Sequence, residues 1–116
     1  MNSIAENIRA IRSRMAAAAE AAGRDPGEIL LVGASKMNGA EACRAAIAGG
    51  IDALGENRVQ EMTEKLARNA YEGAPLHFIG HLQRNKVRQV VGTVSLIHSV
   101  GSWPLLEEIQ RQAERR

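Results

Sequence analysis

The spacing of apolar and polar positions divides the chain into one helix and four repeats of a strand followed by a helix. Residues 1–22 carry Ile4, Ile8, Ile11 and Met15 at helical spacing, with Ser3 as N-cap, Glu6 completing a capping box and Gly23 as the stop. Turn residues follow in Arg24-Asp25-Pro26-Gly27. From Ile29 to Lys36 both alternating faces are apolar until Ser35, which predicts a strand buried on both sides, as parallel strands are. The Ala-rich segment Ala40 to Ala48 predicts a short helix closed by Gly49-Gly50, with Cys43 on one face with Ala46 and Ile47.

The pattern then repeats. Ile51 to Leu54 is a second strand, followed by Gly55-Glu56-Asn57 and a helix carrying Val59, Met62 and Leu66 on one face. Leu76 to His81 is a third, followed by a helix with Val87, Val90 and Val91 that Gly92 ends. Val94 to Val100 is a fourth, followed by a helix from Ser102 bearing Leu105, Leu106, Ile109 and Ala113. This order predicts the α/β class, with parallel strands joined by right-handed crossovers. A doubly wound open sheet and part of a (β/α)8 TIM barrel share the signature, and periodicity alone does not separate them. The run Gly33 to Gly39 fits neither the dinucleotide nor the P-loop phosphate fingerprint.

Composition narrows the picture. A length of 116 residues sets one domain, 1–116, that is short for a closed barrel. With 45% hydrophobic and 24% charged residues it is an ordinary globular composition, and with 3% aromatics the core must come from Ala, Val, Leu and Ile. A net charge of +2, with basic and acidic residues interspersed, gives nucleic-acid binding little support. The lone Cys43 forms no internal disulfide and fits a reducing compartment. No apolar run is long enough for a membrane span and the N-terminus lacks a secretory layout, so a cytoplasmic location is expected.

Parallel strands deliver their last residues to one rim, where α/β folds bind ligands. Lys36, Glu56 with Asn57, His81 and Ser99 therefore meet there. A lysine at the end of a buried strand loses part of its hydration and becomes a carbonyl-binding nucleophile; otherwise it is a solvated strand end. Small Ala34, two residues before it, leaves room beneath a planar ring. Asn57 reads as a ligand contact or, with Gln60, as a helix cap, and Glu56 as a charge favouring the helix N-terminus. His77 and His81 share a face but stand roughly 13 Å apart, too far to chelate one metal. His98 reads as a core histidine, and the connecting-segment Tyr71 has no obvious role. Arg84, Lys86 and Arg88 read as a phosphate-neutralising cluster or a solvated helix face. No Ser-based nucleophile motif is present.

Three segments together, Val32-Gly33-Ala34-Ser35-Lys36, Leu54-Gly55-Glu56-Asn57 and His77-Phe78-Ile79-Gly80-His81-Leu82-Gln83-Arg84-Asn85-Lys86, resemble the pyridoxal-phosphate homeostasis proteins, as does Ser95-Leu96-Ile97-His98-Ser99-Val100. The resemblance covers essentially the whole chain. It implies a barrel like the N-terminal domain of alanine racemase, with Lys36 holding pyridoxal 5'-phosphate as an aldimine and Asn57, His81 and Ser99 beside it. It further implies a carrier or regulator of vitamin B6 without established catalysis; racemase activity is disfavoured because the second domain and its acid/base partner are missing. The alternatives are a Schiff-base lysine enzyme of racemase or aldolase type, or a phosphate or nucleic-acid binding module on Arg84, Lys86 and Arg88. Met37-Asn38-Gly39 and Gly101 depart from the family's usual residues, the first in the loop over the cofactor. A (β/α)8 barrel takes about 250 residues, so the chain reads as a truncated, N-terminal half. On the resemblance, the phosphate-binding loops and the pyridine-nitrogen partner belong to the other half, and cofactor binding is expected to be weak. Open barrel edges predict a homo-oligomer.

Overall fold

The computed structural model describes residues 3–116. The opening helix α1 (Ile4–Ala21) leads into four strand-then-helix units: β1 (Val32–Ala34) and α2 (Ala40–Ala48), β2 (Ala53–Glu56) and α3 (Val59–Ala67), β3 (Leu76–Phe78) and α4 (Val87–Val90), β4 (Leu96–Ile97) and α5 (Trp103–Glu114). The strands form one parallel sheet in the order β1-β2-β3-β4, with Val32 opposite Ala53, Leu54 opposite Leu76 and His77 opposite Leu96. Sequential order without a reversal is the winding of a (β/α)8 barrel, whereas a doubly wound sheet would switch direction. The fold is thus α/β, a partial barrel.

Local chemistry sets the helix limits. The Glu6 N–H donates to Ser3 Oγ at 3.1 Å, which caps α1, and Gly23 ends it in the left-handed region at φ 74°. Met1 and Asn2, the start of the predicted helix, lie outside the described residues. Of the predicted stripe only Ile8 is buried; near it α1 approaches α2 closely, since a Cβ on Gly49 would stand 2.9 Å from Ala5 Cα. Arg12 fixes that contact by donating to the Gly50 carbonyl and pairing with Asp52 at 2.7 Å. The Asp52 carboxyl lies below its ordinary value although burial opposes this, because the Leu31 N–H and Arg12 favour the charged form. Helix α2 has the predicted limits, with Cys43 and Ala46 buried as predicted, and Ser102 caps α5 by accepting from the Leu105 N–H.

The first, third and fourth strands are shorter than predicted, and the second keeps its length but lies two residues later. Leu54, Leu76 and Phe78 face the helices and join Met62, Val87, Val90 and Leu105 in one core. Alternate positions face the other way, where Ala34 and Leu96 are exposed. The prediction that Ile29 to Lys36 is buried on both sides is therefore corrected: Leu30 is 62% exposed, because only one face of this sheet has a helix layer. Gly55 lies under Ile79 on the open face, and any side chain there would push Ile79 aside, since Ile79 Cδ1 lies 2.8 Å from where a Cβ would stand. No helix among the described residues is long and apolar enough to cross a membrane.

Candidate functional site

Lys36 comes two residues after β1, Asn57 one after β2, His81 three after β3 and Ser99 two after β4, all at the carboxyl end of the sheet. Lys36, His81 and Ser99 are exposed and Asn57 is half-buried. The expected partial dehydration of the Lys36 amine does not occur, because Lys36 stands clear of the helix layer. Capping by Asn57 is corrected as well. Arg58 occupies the cap position of α3 without a side-chain bond, and the buried Asn57 Oδ1 has no hydrogen-bond partner. Asn57 and His81 line one small open cleft of about 250 Å³ with Val59, Gln83 and Lys86; Lys36 and Ser99 are not part of it. Among the described residues no hydrogen bond joins the four side chains.

Directly beneath the lysine lies a polar network that the sequence did not announce. Glu56 is fully buried in β2, not a solvated charge at a helix start. Its Oε2 accepts from Ser35 Oγ at 2.6 Å, Lys65 Nζ at 2.8 Å and Tyr71 OH at 2.7 Å, while Oε1 has no partner. Lys65 also donates to the Ser35 carbonyl at 2.6 Å and pairs with Glu61 at 2.9 Å, and Glu61 accepts the Met37 N–H at 2.7 Å. Both neighbours of Lys36 are thereby held. Met37 stands in the left-handed region at φ 62°, a conformation that costs a non-glycine residue about 1–2 kcal/mol and that its bond to Glu61 helps to hold.

The network's protonation follows from its contacts. Lys65 remains above its ordinary value despite burial, because Glu56 and Glu61 favour the charged amine. Glu61 is held below its ordinary value by the Lys65 hydrogen bond, against some burial, with the Met37 N–H adding to it. Burial, then the Glu56 carboxylate, pushes the Tyr71 hydroxyl far up, so it remains a donor. The sequence did carry a hint for Lys65, which falls at helical spacing after the buried Val59 and Met62. Tyr71 had none, since its burial depends on a turn packing under β2.

His98 is exposed, not a core residue as predicted, and its Nε2 lies 2.9 Å from Nδ1 of the buried His77. Burial, then the neighbouring His98, lowers the His77 pKa. Of the basic cluster, Arg84 and Arg88 are exposed and Lys86 half-buried, the solvated-face alternative. Among the described residues no group of three or more His, Cys, Asp or Glu side chains is placed to hold a metal ion.

No family model matches the chain. It is 39% identical over 112 residues to the pyridoxal phosphate homeostasis protein of Pseudomonas aeruginosa, covering 97% of this chain and 49% of that one. The proteins of the same name from Aquifex aeolicus, at 40% identity, and Escherichia coli K12, at 39%, match over 93% and 98% of the chain and 47% and 51% of their own lengths. The chain thus spans about half the length of the curated relatives it matches. Among solved structures it superposes on an unknown protein from Bifidobacterium adolescentis with a TM-score of 0.84 at 38% identity, over 97% of this chain and 50% of that one. It superposes on PipY of Synechococcus elongatus, with pyridoxal phosphate bound, with a TM-score of 0.82 at 37% identity, over 97% of this chain and 49% of that one.

Proposed function

We propose that the chain, similar over nearly its whole length to half of a pyridoxal phosphate homeostasis protein, binds pyridoxal 5'-phosphate at the carboxyl rim of its sheet and acts as a cofactor carrier or regulator in the cytoplasm, without catalysing a reaction. The observation that carries this reading is the clamp around Lys36: the residue before it and the residue after it are both tied to Lys65 and Glu61, while its own side chain is exposed. A fixed backbone under a free amine suits reversible attachment of an aldehyde. The residues present fit such a group. Asn57 offers a buried acceptor without a partner, and Ala34 leaves the space before the lysine open. His81 and Ser99 supply further polar groups at the neighbouring strand ends. When bound, the cofactor supplies an aldehyde and an electron-withdrawing ring. Lys36 would hold the cofactor by its aldehyde, Asn57 would orient it, and the Glu56 network would keep the Lys36 turn in place. Arg58 and Lys86 line the cleft with Asn57 and His81 and bring positive charge to this rim; affinity is expected to be lower than in the relatives, of whose length this chain spans about half.

The chain has three lysines, which makes the test direct. Pyridoxal 5'-phosphate added to the protein should give a visible absorbance band that Lys36→Ala abolishes without altering the circular dichroism. Borohydride reduction and peptide mapping should place the label on Lys36. Labelling shared equally with Lys86, or an unchanged band in Lys36→Ala, would defeat the proposal.

The open face of the sheet supports one further expectation. Leu30 is 62% exposed, Leu96 51% and Val100 43%, and the edge strands β1 and β4 each leave one side unpaired. Such a surface associates. Light scattering should give a mass that rises above the monomer across the micromolar range, and Leu96→Glu should return it to the monomer. A wild-type chain that stays monomeric throughout would contradict this.

A further inference from the structure

We propose that His77 and His98 form a two-nitrogen chelate for a divalent transition-metal ion of tetragonal preference, Cu(II) or Ni(II), on the open face of the sheet. The two side chains come from adjacent parallel strands: His77 lies within β3 and His98 directly follows β4, whose backbone it continues by donating its N–H to the Phe78 carbonyl at 2.9 Å. Their facing nitrogens, Nδ1 of His77 and Nε2 of His98, are 2.9 Å apart, with ring centroids 5.0 Å apart and planes tilted by 48°.

That separation has a geometric meaning. Two nitrogens each about 2.0–2.1 Å from one ion subtend about 90° at it when they are 2.9 Å apart, the cis angle of a square-planar or octahedral site, whereas a tetrahedral ion would need them about 3.3 Å apart. Imidazole suits Cu and Ni as a ligand. The ion lies to one side of the present hydrogen bond. A tautomer shift in one neutral ring moves the intervening proton to its far nitrogen, so both facing nitrogens present lone pairs and no net proton is lost. His77, 5% exposed, is the fixed ligand; the exposed His98 pivots about its Nε2, so its lone pair turns onto the ion while the 2.9 Å separation that sets the angle is kept. Since no third His, Cys, Asp or Glu among the described residues completes a cluster, water fills the remaining positions. The site requires nothing of the proposed cofactor, although His98 directly precedes the rim residue Ser99. It joins the two-residue edge strand β4 to β3 with a metal link beyond the backbone ladder.

Titration of the untagged chain with Cu(II) and Ni(II) salts, followed by calorimetry and, for Cu(II), electron paramagnetic resonance, tests this. The wild-type chain should bind one equivalent with hyperfine coupling to two imidazole nitrogens, and its thermal midpoint should rise with Ni(II). His98→Ala removes an exposed ring, so it folds, and it should bind at least about tenfold more weakly because the second ligand no longer acts intramolecularly. His81→Ala should keep the wild-type affinity and spectrum. Equal affinity in wild type and His98→Ala, or loss of binding in His81→Ala, would overturn the assignment.

Discussion

Replacing Lys65 with methionine should cost about 3–5 kcal/mol of folding stability, the range for removing one partner of a buried ion pair. Methionine keeps an apolar stem out to the ε position and lacks only the terminal amine, so the change isolates that group. Three bonds disappear together: to Glu56 at 2.8 Å, to the Ser35 carbonyl at 2.6 Å and to Glu61 at 2.9 Å. Glu56 has no exposed surface through which water could replace the lost donor, and its Oε1 already lacks a partner. Ser35 and Tyr71 remain as its donors, two neutral hydroxyls facing a buried carboxylate.

The double variant separates charge from shape. Lys65→Met with Glu56→Gln removes the orphaned charge and should recover part of the loss, whereas two independent sites would add. Urea denaturation midpoints at constant slope measure both. A cost in Lys65→Met below about 1 kcal/mol would mean that the buried pair is not what holds the strand end. Because the same amine carries the Ser35 carbonyl, the folded fraction of Lys65→Met should also take up pyridoxal 5'-phosphate more weakly at Lys36 than the wild-type chain does.

The winding of the fold was legible in the sequence because strand-then-helix order survives errors in element limits. The limits themselves moved where local pattern and tertiary packing disagree. Ile51 and Asp52 look like a strand start, but Asp52 is drawn off to Arg12 and the Leu31 N–H, and the ladder begins at Ala53. Gly55 and Glu56 look like a loop, yet they continue the strand, since Ile79 covers the glycine and Lys65 and Tyr71 receive the carboxylate. The rim residues could be placed from strand ends alone. The clamp could not, because it joins residues 35, 56, 65 and 71 through side chains that meet only once the sheet and α3 are packed. Likewise His98 paired with His77 only when β4 took its register beside β3.

The second large effect is expected at Gly80, which packs against the rim residue whose acceptor has no partner. A Cβ at this position would stand 2.5 Å from the Asn57 carbonyl oxygen and 2.7 Å from its Cα, contacts that no real side chain makes. The obstructing atoms are backbone, so no rotamer relieves the overlap, and either the Gly80 turn or the start of α3 must shift. Gly80→Ala should therefore lose about 1–3 kcal/mol as an overpacked site. Gly101→Ala provides the comparison, since nothing lies within 4 Å of its Cβ position, and it should remain within about 0.5 kcal/mol of wild type. Stability alone does not distinguish a general defect from a displaced Asn57. If Asn57 orients the cofactor, Gly80→Ala should weaken pyridoxal 5'-phosphate binding under conditions where the variant is fully folded, and Asn57→Ala should weaken it by a similar factor. The double variant should then be little worse than either single one, because both changes remove the same contact. Independent, additive losses would separate Gly80 from the site and leave it a packing residue of the β3 turn.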